Sequence, residues 1–195
     1  MNQTLAEHLK RLNPTGIEWA DMTEEQKEDL RQQWDKVVSK PENLTCSCPR
    51  TGCRNNHNCK FCVSLHRYYD GLADCLRIVD DNLEDGIPYE KRHNLHKYTS
   101  TQAKSRDDYA AHAAAKDPDP VKLRKEIEEY HRIVHDPKNI ACNCPRTDCW
   151  YHNNCVKCIA LHRYYNGFPN CCQPIAAEID TAIQAYKQEQ VGVAE

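Results

Sequence analysis

Residues 46–75 read CSCPRTGCRNNHNCKFCVSLHRYYDGLADC, and residues 142–171 read CNCPRTDCWYHNNCVKCIALHRYYNGFPNC. The two stretches align without a gap, 96 residues apart. Cys46, Cys48, Cys53, Cys59, Cys62 and Cys75 fall on Cys142, Cys144, Cys149, Cys155, Cys158 and Cys171, and His66 falls on His162. Of the thirteen cysteines only Cys172 has no counterpart. A spaced pattern repeated in this way predicts a supersecondary unit used twice.

The correspondence extends upstream. Pro41-Glu42-Asn43-Leu44 faces Pro137-Lys138-Asn139-Ile140, and Thr23 followed by EEQKEDLRQQWDKVV faces Asp119 followed by PVKLRKEIEEYHRIV. Thr23 and Asp119 are N-cap residue types, and Pro120 suits a first helical turn, where its missing N–H costs nothing. Leu30, Trp34, Val37 and Val38 have helical spacing, as do Leu123, Ile127, Tyr130, Ile133 and Val134. Each unit thus reads as a helix, a proline turn and a cysteine module. The expected fold is mainly α, with two pseudo-symmetric metal-stapled modules and little or no sheet.

The boundaries follow from the repeat: an N-terminal helical segment over 1–22, a first module over 23–76, a connector over 77–118 and a second module over 119–195. In the connector, Gly86-Ile87-Pro88 reads as a loop and the alanine-rich stretch Ser105 to Lys116 as a helix. Ile175, Ile179, Ile183 and Tyr186 share one face of a C-terminal helix, expected to pack back on the second module.

Composition narrows the class. Of 195 residues, only 2 are Phe and 2 are Met, so the 39% hydrophobic fraction leans on Cys and Tyr. An aliphatic core this thin calls for a staple, and metal is one. A net charge of −3 supplies no field for nucleic acid or an anionic membrane. No stretch reaches the length of a membrane span, and MNQTLAEHLKRLNP lacks a signal-peptide apolar run. The expected setting is therefore the reducing cytoplasm, where clustered cysteines bind metal or do chemistry rather than pair.

Cys59, Cys62 and His66 fall at i, i+3 and i+7, which is one face of a helix, and Cys155, Cys158 and His162 repeat this. Asn58 or Asn154 is the expected N-cap, and Gly71 or Gly167 the expected C′ residue. Cys46, Cys48 and Cys53, with Cys142, Cys144 and Cys149, supply thiols from a proline-containing loop, and Cys75 and Cys171 return after the helix. The donor set suits Zn2+. It exceeds one tetrahedral site, so either a two-zinc cluster with a bridging thiolate or one zinc with spare thiols fits each unit. A [4Fe–4S] cluster or Cu+ remains an alternative for the same thiolates, which would make the chain an iron–sulfur or metal-buffering/redox protein.

The spacing C-x-C-x4-C-x5-C-x2-C-x3-H-R with a later Cys resembles a family of small cysteine-rich cytosolic proteins of bacteria and archaea whose function is unknown. The match is carried by Cys46, Cys48, Cys53, Cys59, Cys62, His66, Arg67 and Cys75, and again by Cys142, Cys144, Cys149, Cys155, Cys158, His162, Arg163 and Cys171. Known members carry one such module, here duplicated. The resemblance implies a cytosolic protein and no particular activity.

The remaining features are weaker signals. His57 and His152 do not align; either could complete a site, but a surface loop is the plainer reading. His93, His96 and His112 in the connector read as solvated. Arg67-Tyr68-Tyr69 and Arg163-Tyr164-Tyr165 are either a recognition face or packing, with the arginine capping a carbonyl or donating to sulfur; packing is favoured. Arg50 and Arg146 bring positive charge to the thiolates. No P-loop, dinucleotide fingerprint or nucleophile elbow is present, so an adaptor that binds another protein is favoured over an enzyme.

Overall fold

The computed structural model describes residues 3–48, 53–69, 71–73, 75–76 and 119–192. The connector, with its predicted loop, its helix and His93, His96 and His112, lies outside them, as does Arg50. The chain is mainly helical, with no strand among the described residues. In order come α1 (Gln3–Leu12), a 3-10 turn (Trp19–Asp21), α2 (Glu24–Val38), α3 (Pro41–Leu44), α4 (Cys59–Tyr68), α5 (Pro120–His135), α6 (Pro137–Ile140), α7 (Cys155–Tyr164) and α8 (Gln173–Gly192).

The helix starts are local chemistry. Thr23 accepts from the Gln26 N–H, and the Gln26 side chain reaches back to the Thr23 N–H at 2.9 Å, closing a capping box. Asp119 accepts from the N–H groups of Val121 and Lys122 ahead of Pro120. Asn154 caps α7 through the Lys157 N–H. The α7 stop differs from expectation. The left-handed residue is Asn166 (φ 54°), and Gly167 follows it, donating its N–H to the His162 carbonyl at 2.9 Å. Asparagine tolerates the left-handed region, so glycine is not needed at that position.

The chain forms two compact units. Among the described residues, the first holds 3–48, 53–59, 75–76 and 142–171. Within it, α7 lies against α2 and α3. Leu12, Met22, Leu30, Trp34, Val37 and Val38 are buried with Tyr151, Ala160 and Leu161 in one apolar cluster. The second cysteine helix thus shares its core with the helix that precedes the first cysteine segment. Trp34 anchors this core: it is 1% exposed, its Nε1 donates to the Leu12 carbonyl at 2.9 Å, and Trp19, Trp150 and Tyr151 surround its ring. The Tyr151 hydroxyl donates to Asp35 at 2.7 Å.

The second unit holds 60–69, 71–73, 119–141 and 172–192. Val63, Leu72 and Ala73 are buried there, as are Tyr130, Ile133 and Val134 of α5 and Cys172, Ile175 and Ile179. The Phe61 ring meets His135 edge-on at 5.1 Å. Arg132 donates to the Tyr68 hydroxyl at 2.9 Å. The C-terminal helix α8 belongs to this unit, together with α5 of the second module.

Candidate metal centre

None of the thirteen cysteines is in a disulfide. Ten of the fourteen sequence-predicted aligned thiols and imidazoles fall within two loops and two helix starts; their distribution between the units is uneven. The first unit contains Cys46, Cys48, Cys53, Cys59 and Cys75 together with Cys142, Cys144, Cys149, Cys155, Cys158, His162 and Cys171. Cys62, His66 and the unmatched Cys172 belong to the second. Among the described residues, no three Cys, His, Asp or Glu side chains meet at the spacing that would hold a metal ion.

The turns after Cys53 and Cys149 have the same backbone hydrogen bonds in both stretches. Asn56 and His152 donate their N–H groups to the carbonyls of Cys53 and Cys149, each at 2.9 Å. His57 and Asn153 then take the left-handed conformation, at φ 61° and 63°. This turn aims a backbone N–H at sulfur: Asn55 N–H donates to Cys53 Sγ at 3.4 Å, and Tyr151 N–H donates to Cys149. In the second stretch the Asn170 amide also donates to Cys144 Sγ at 3.0 Å. Donors directed at sulfur stabilise a thiolate or a metal-bound thiolate. His57 holds a backbone position that its counterpart Asn153 also holds, which accounts for it without a ligand role.

Burial and mutual repulsion disfavour the ionised form of these thiols. Burial pushes the Cys158 thiol up, and Cys171, Cys149, Cys155 and Cys142 add to the rise. Burial likewise raises Cys59 to about 11, with Cys75, Cys46 and Cys155 contributing. Cys149 is raised by burial and pulled back by the Tyr151 N–H and by Arg146. Without an ion these sulfurs are therefore neutral thiols at physiological pH.

Arg146 is a second feature of this centre. Its guanidinium sits 4.2 Å from the Trp19 ring centroid and 5.8 Å from that of Trp34. Its Nε and Nη2 are buried, with no hydrogen-bond acceptor among the described residues. Asp148, two residues on, accepts instead from the Trp19 indole N–H. His152 Nδ1 is also buried without a partner among these residues.

The arginines of the two RYY segments clamp carbonyls. Arg67 Nη2 donates to the Asn139 carbonyl at 2.6 Å, and Arg163 Nη2 donates to the Asn43 carbonyl at 3.0 Å. Arg163 Nη1 adds a bond to Ser47 Oγ at 3.0 Å. These are equivalent bonds 96 residues apart, and they match the packing reading of RYY. Tyr164 remains exposed at 54%.

Sequence reasoning missed His8. It is 1% exposed, its Nδ1 lies 3.0 Å from the Tyr165 carbonyl, and its Nε2 lies 3.0 Å from His162 Nδ1. A Cβ on Gly167 would stand 1.9 Å from His8 Cγ, so only glycine leaves room for this imidazole. Burial lowers the pKa of both histidines, and each is neutral. No repeat signal could have found His8, because Lys104 occupies the corresponding position.

No family model matches the chain, and no curated protein or solved structure is similar to it.

Proposed function

We propose that the chain is a zinc-binding protein with duplicated Cys/His modules, whose metal is structural and whose helices serve as an intracellular adaptor for another protein. The observation that carries this reading is Arg146, a half-buried side chain beside Cys149 whose Nε and Nη2 are sealed from solvent with no acceptor among the described residues. Burying a cation without an anionic partner is costly. A zinc–thiolate centre is anionic and offers sulfur acceptors, so it would satisfy Arg146 where neutral thiols do not.

The proposed donors are those the repeat aligns: Cys46, Cys48, Cys53, Cys59, Cys62, His66 and Cys75 with Cys142, Cys144, Cys149, Cys155, Cys158, His162 and Cys171. The paired N–H to sulfur contacts at Cys53 and Cys149 favour thiolate ligands at both. Metal sites are seldom fully formed before the ion arrives, because binding itself deprotonates the thiols and gathers them. A redox role for the CxxC pairs has less support. Reactive cysteines have depressed pKa values, whereas Cys59 and Cys158 are raised.

The test is elemental analysis and an absorption spectrum on anaerobically purified, untagged protein, with Cys62→Ser and His66→Ala beside it. Stoichiometric, colourless zinc that falls with both substitutions supports the reading. Iron with matching sulfide and a visible band replaces it with the iron–sulfur alternative. Unchanged zinc in both variants removes Cys62 and His66 from the ligand set.

A further inference from the structure

We propose that a second copy of this chain is a partner for it, and that the two associate by exchanging halves. The segment before residue 77 in one chain then pairs with the segment after residue 118 in the other, through the contacts those segments make within a single chain. Neither unit is built from one repeat. In the first unit, α2 and α3 of the first repeat lie against α7 of the second, with Trp34, Val37 and Val38 buried in one cluster with Ala160 and Leu161. In the second unit, residues 60–69 of the first repeat are joined to α5 and α6 of the second. The crossing is reciprocal. Arg163 of the second repeat donates to the Asn43 carbonyl of the first, and Arg67 of the first donates to the Asn139 carbonyl of the second. The Asn43 and Asn139 amides in turn donate to the equivalent carbonyls of Val37 and Ile133. Reciprocal exchange of like elements is how two copies close into a dimer, and here both partners of the exchange lie in one chain.

The contacts that differ between the units decide which half fits which. Trp34 packs on Trp150 and Tyr151, and Asp35 accepts from the Tyr151 hydroxyl at 2.7 Å. The first repeat has Arg54 and Asn55 in place of that Trp and Tyr. In the second unit, Arg132 donates to the Tyr68 hydroxyl and His135 meets Phe61 edge-on. The first repeat has Lys36 and Ser39 in place of that Arg and His. An amino-terminal half therefore fits a carboxyl-terminal half better than it fits another amino-terminal half, and exchange between unlike halves closes at two chains. Each of these contacts joins residues on opposite sides of the connector, so none distinguishes a half of the same chain from a half of another. Covalent linkage only raises the local concentration of the two halves, to about millimolar. Halves of one chain win in dilute solution, and halves of two chains compete as the chain concentration nears that value. In the exchanged dimer, the thiols of residues 46–59 from one chain share a unit with those of residues 142–171 from the other.

The test uses the full chain, unfolded in urea and refolded under reducing conditions with the metal content of the purified protein restored. Refolding is done at micromolar and at millimolar chain concentration, and mass is read by size-exclusion chromatography with light scattering. The micromolar sample is monomeric, and the millimolar sample contains a dimer that persists on the column. A dimer is then made from equal parts of 13C-labelled and unlabelled chain. Isotope-filtered nuclear Overhauser spectra of it show a contact from the Trp34 ring of the labelled chain to the Tyr151 ring of the unlabelled one, two rings whose centroids lie 6.2 Å apart. Only exchange of halves places that contact between chains. A chain that stays wholly monomeric at millimolar concentration overturns the proposal. A dimer in which the Trp34–Tyr151 contact is confined to single chains overturns it as well, because the copies then meet through outer surfaces.

Discussion

Single residues carry geometry that their neighbours cannot replace. Gly167 is one: a methyl group there would overlap the His8 imidazole. Gly167→Ala therefore expels His8 and costs about 1–3 kcal/mol, as overpacking does. Urea unfolding measures this cost, and His8→Ala in the same background should recover part of it. Arg163 is another, because its planar fork reaches the Asn43 carbonyl and Ser47 Oγ together. Lysine cannot make both bonds in that geometry, so Arg163→Lys should cost about 1–2 kcal/mol in the same assay. Equal stability of Arg163→Lys and wild type would show that the clamp contributes nothing. The conserved order of donors in the two stretches made Arg163 visible in the sequence, but not what it holds. Its acceptor lies on α3, which no local pattern connects to α7.

At the scale of the element, the sequence is nearly sufficient. The capping box at Thr23, the Asp119–Pro120 start and the Asn154 cap all form as their residue types predict. Each depends only on side-chain oxygens meeting N–H groups within the next turn. Thr23→Ala should lower stability by about 1 kcal/mol and Thr23→Asp by much less, as read by thermal unfolding. A matching loss for both would mean that the box contributes through something other than its accepted hydrogen bond. One expectation at this scale failed for a tertiary reason. Asn166, not Gly167, supplies the left-handed turn after α7, and the glycine is reserved for His8. The helix α8 has the apolar stripe the sequence shows, with Ile175 and Ile179 buried, and it belongs to the same unit as α5.

At the scale of the molecule, the first unit is built from both sides of the connector. Residues 3–48, 53–59 and 142–171 contribute to one unit, in which α2 and α3 pack on α7. An engineered protease site between Leu76 and Asp119 should therefore yield two fragments that remain together on size-exclusion chromatography in native buffer. Separation of the fragments without denaturant would contradict the shared core. Chelation offers a second measurement at this scale. If zinc is structural, removing it under reducing conditions should lower the melting temperature cooperatively, and restoring zinc should reverse the change. A melting temperature indifferent to chelator would rule out a structural metal.

The sequence by itself determined the helices, their caps and the paired cysteine spacing, because each depends on side chains within a few residues of one another. The same spacing located the thiols at loop and helix starts and implied a donor set. Tertiary structure alone decided which helix each cysteine segment packs against, because every apolar face in the repeat occurs in two copies and local pattern cannot choose between them. It also decided that Arg146 lies over Trp19 and that His8 reaches His162, since those contacts join residues separated by 127 and 154 positions along the chain. Contacts of that kind need distant parts of the chain gathered on one core, here the cluster around Trp34.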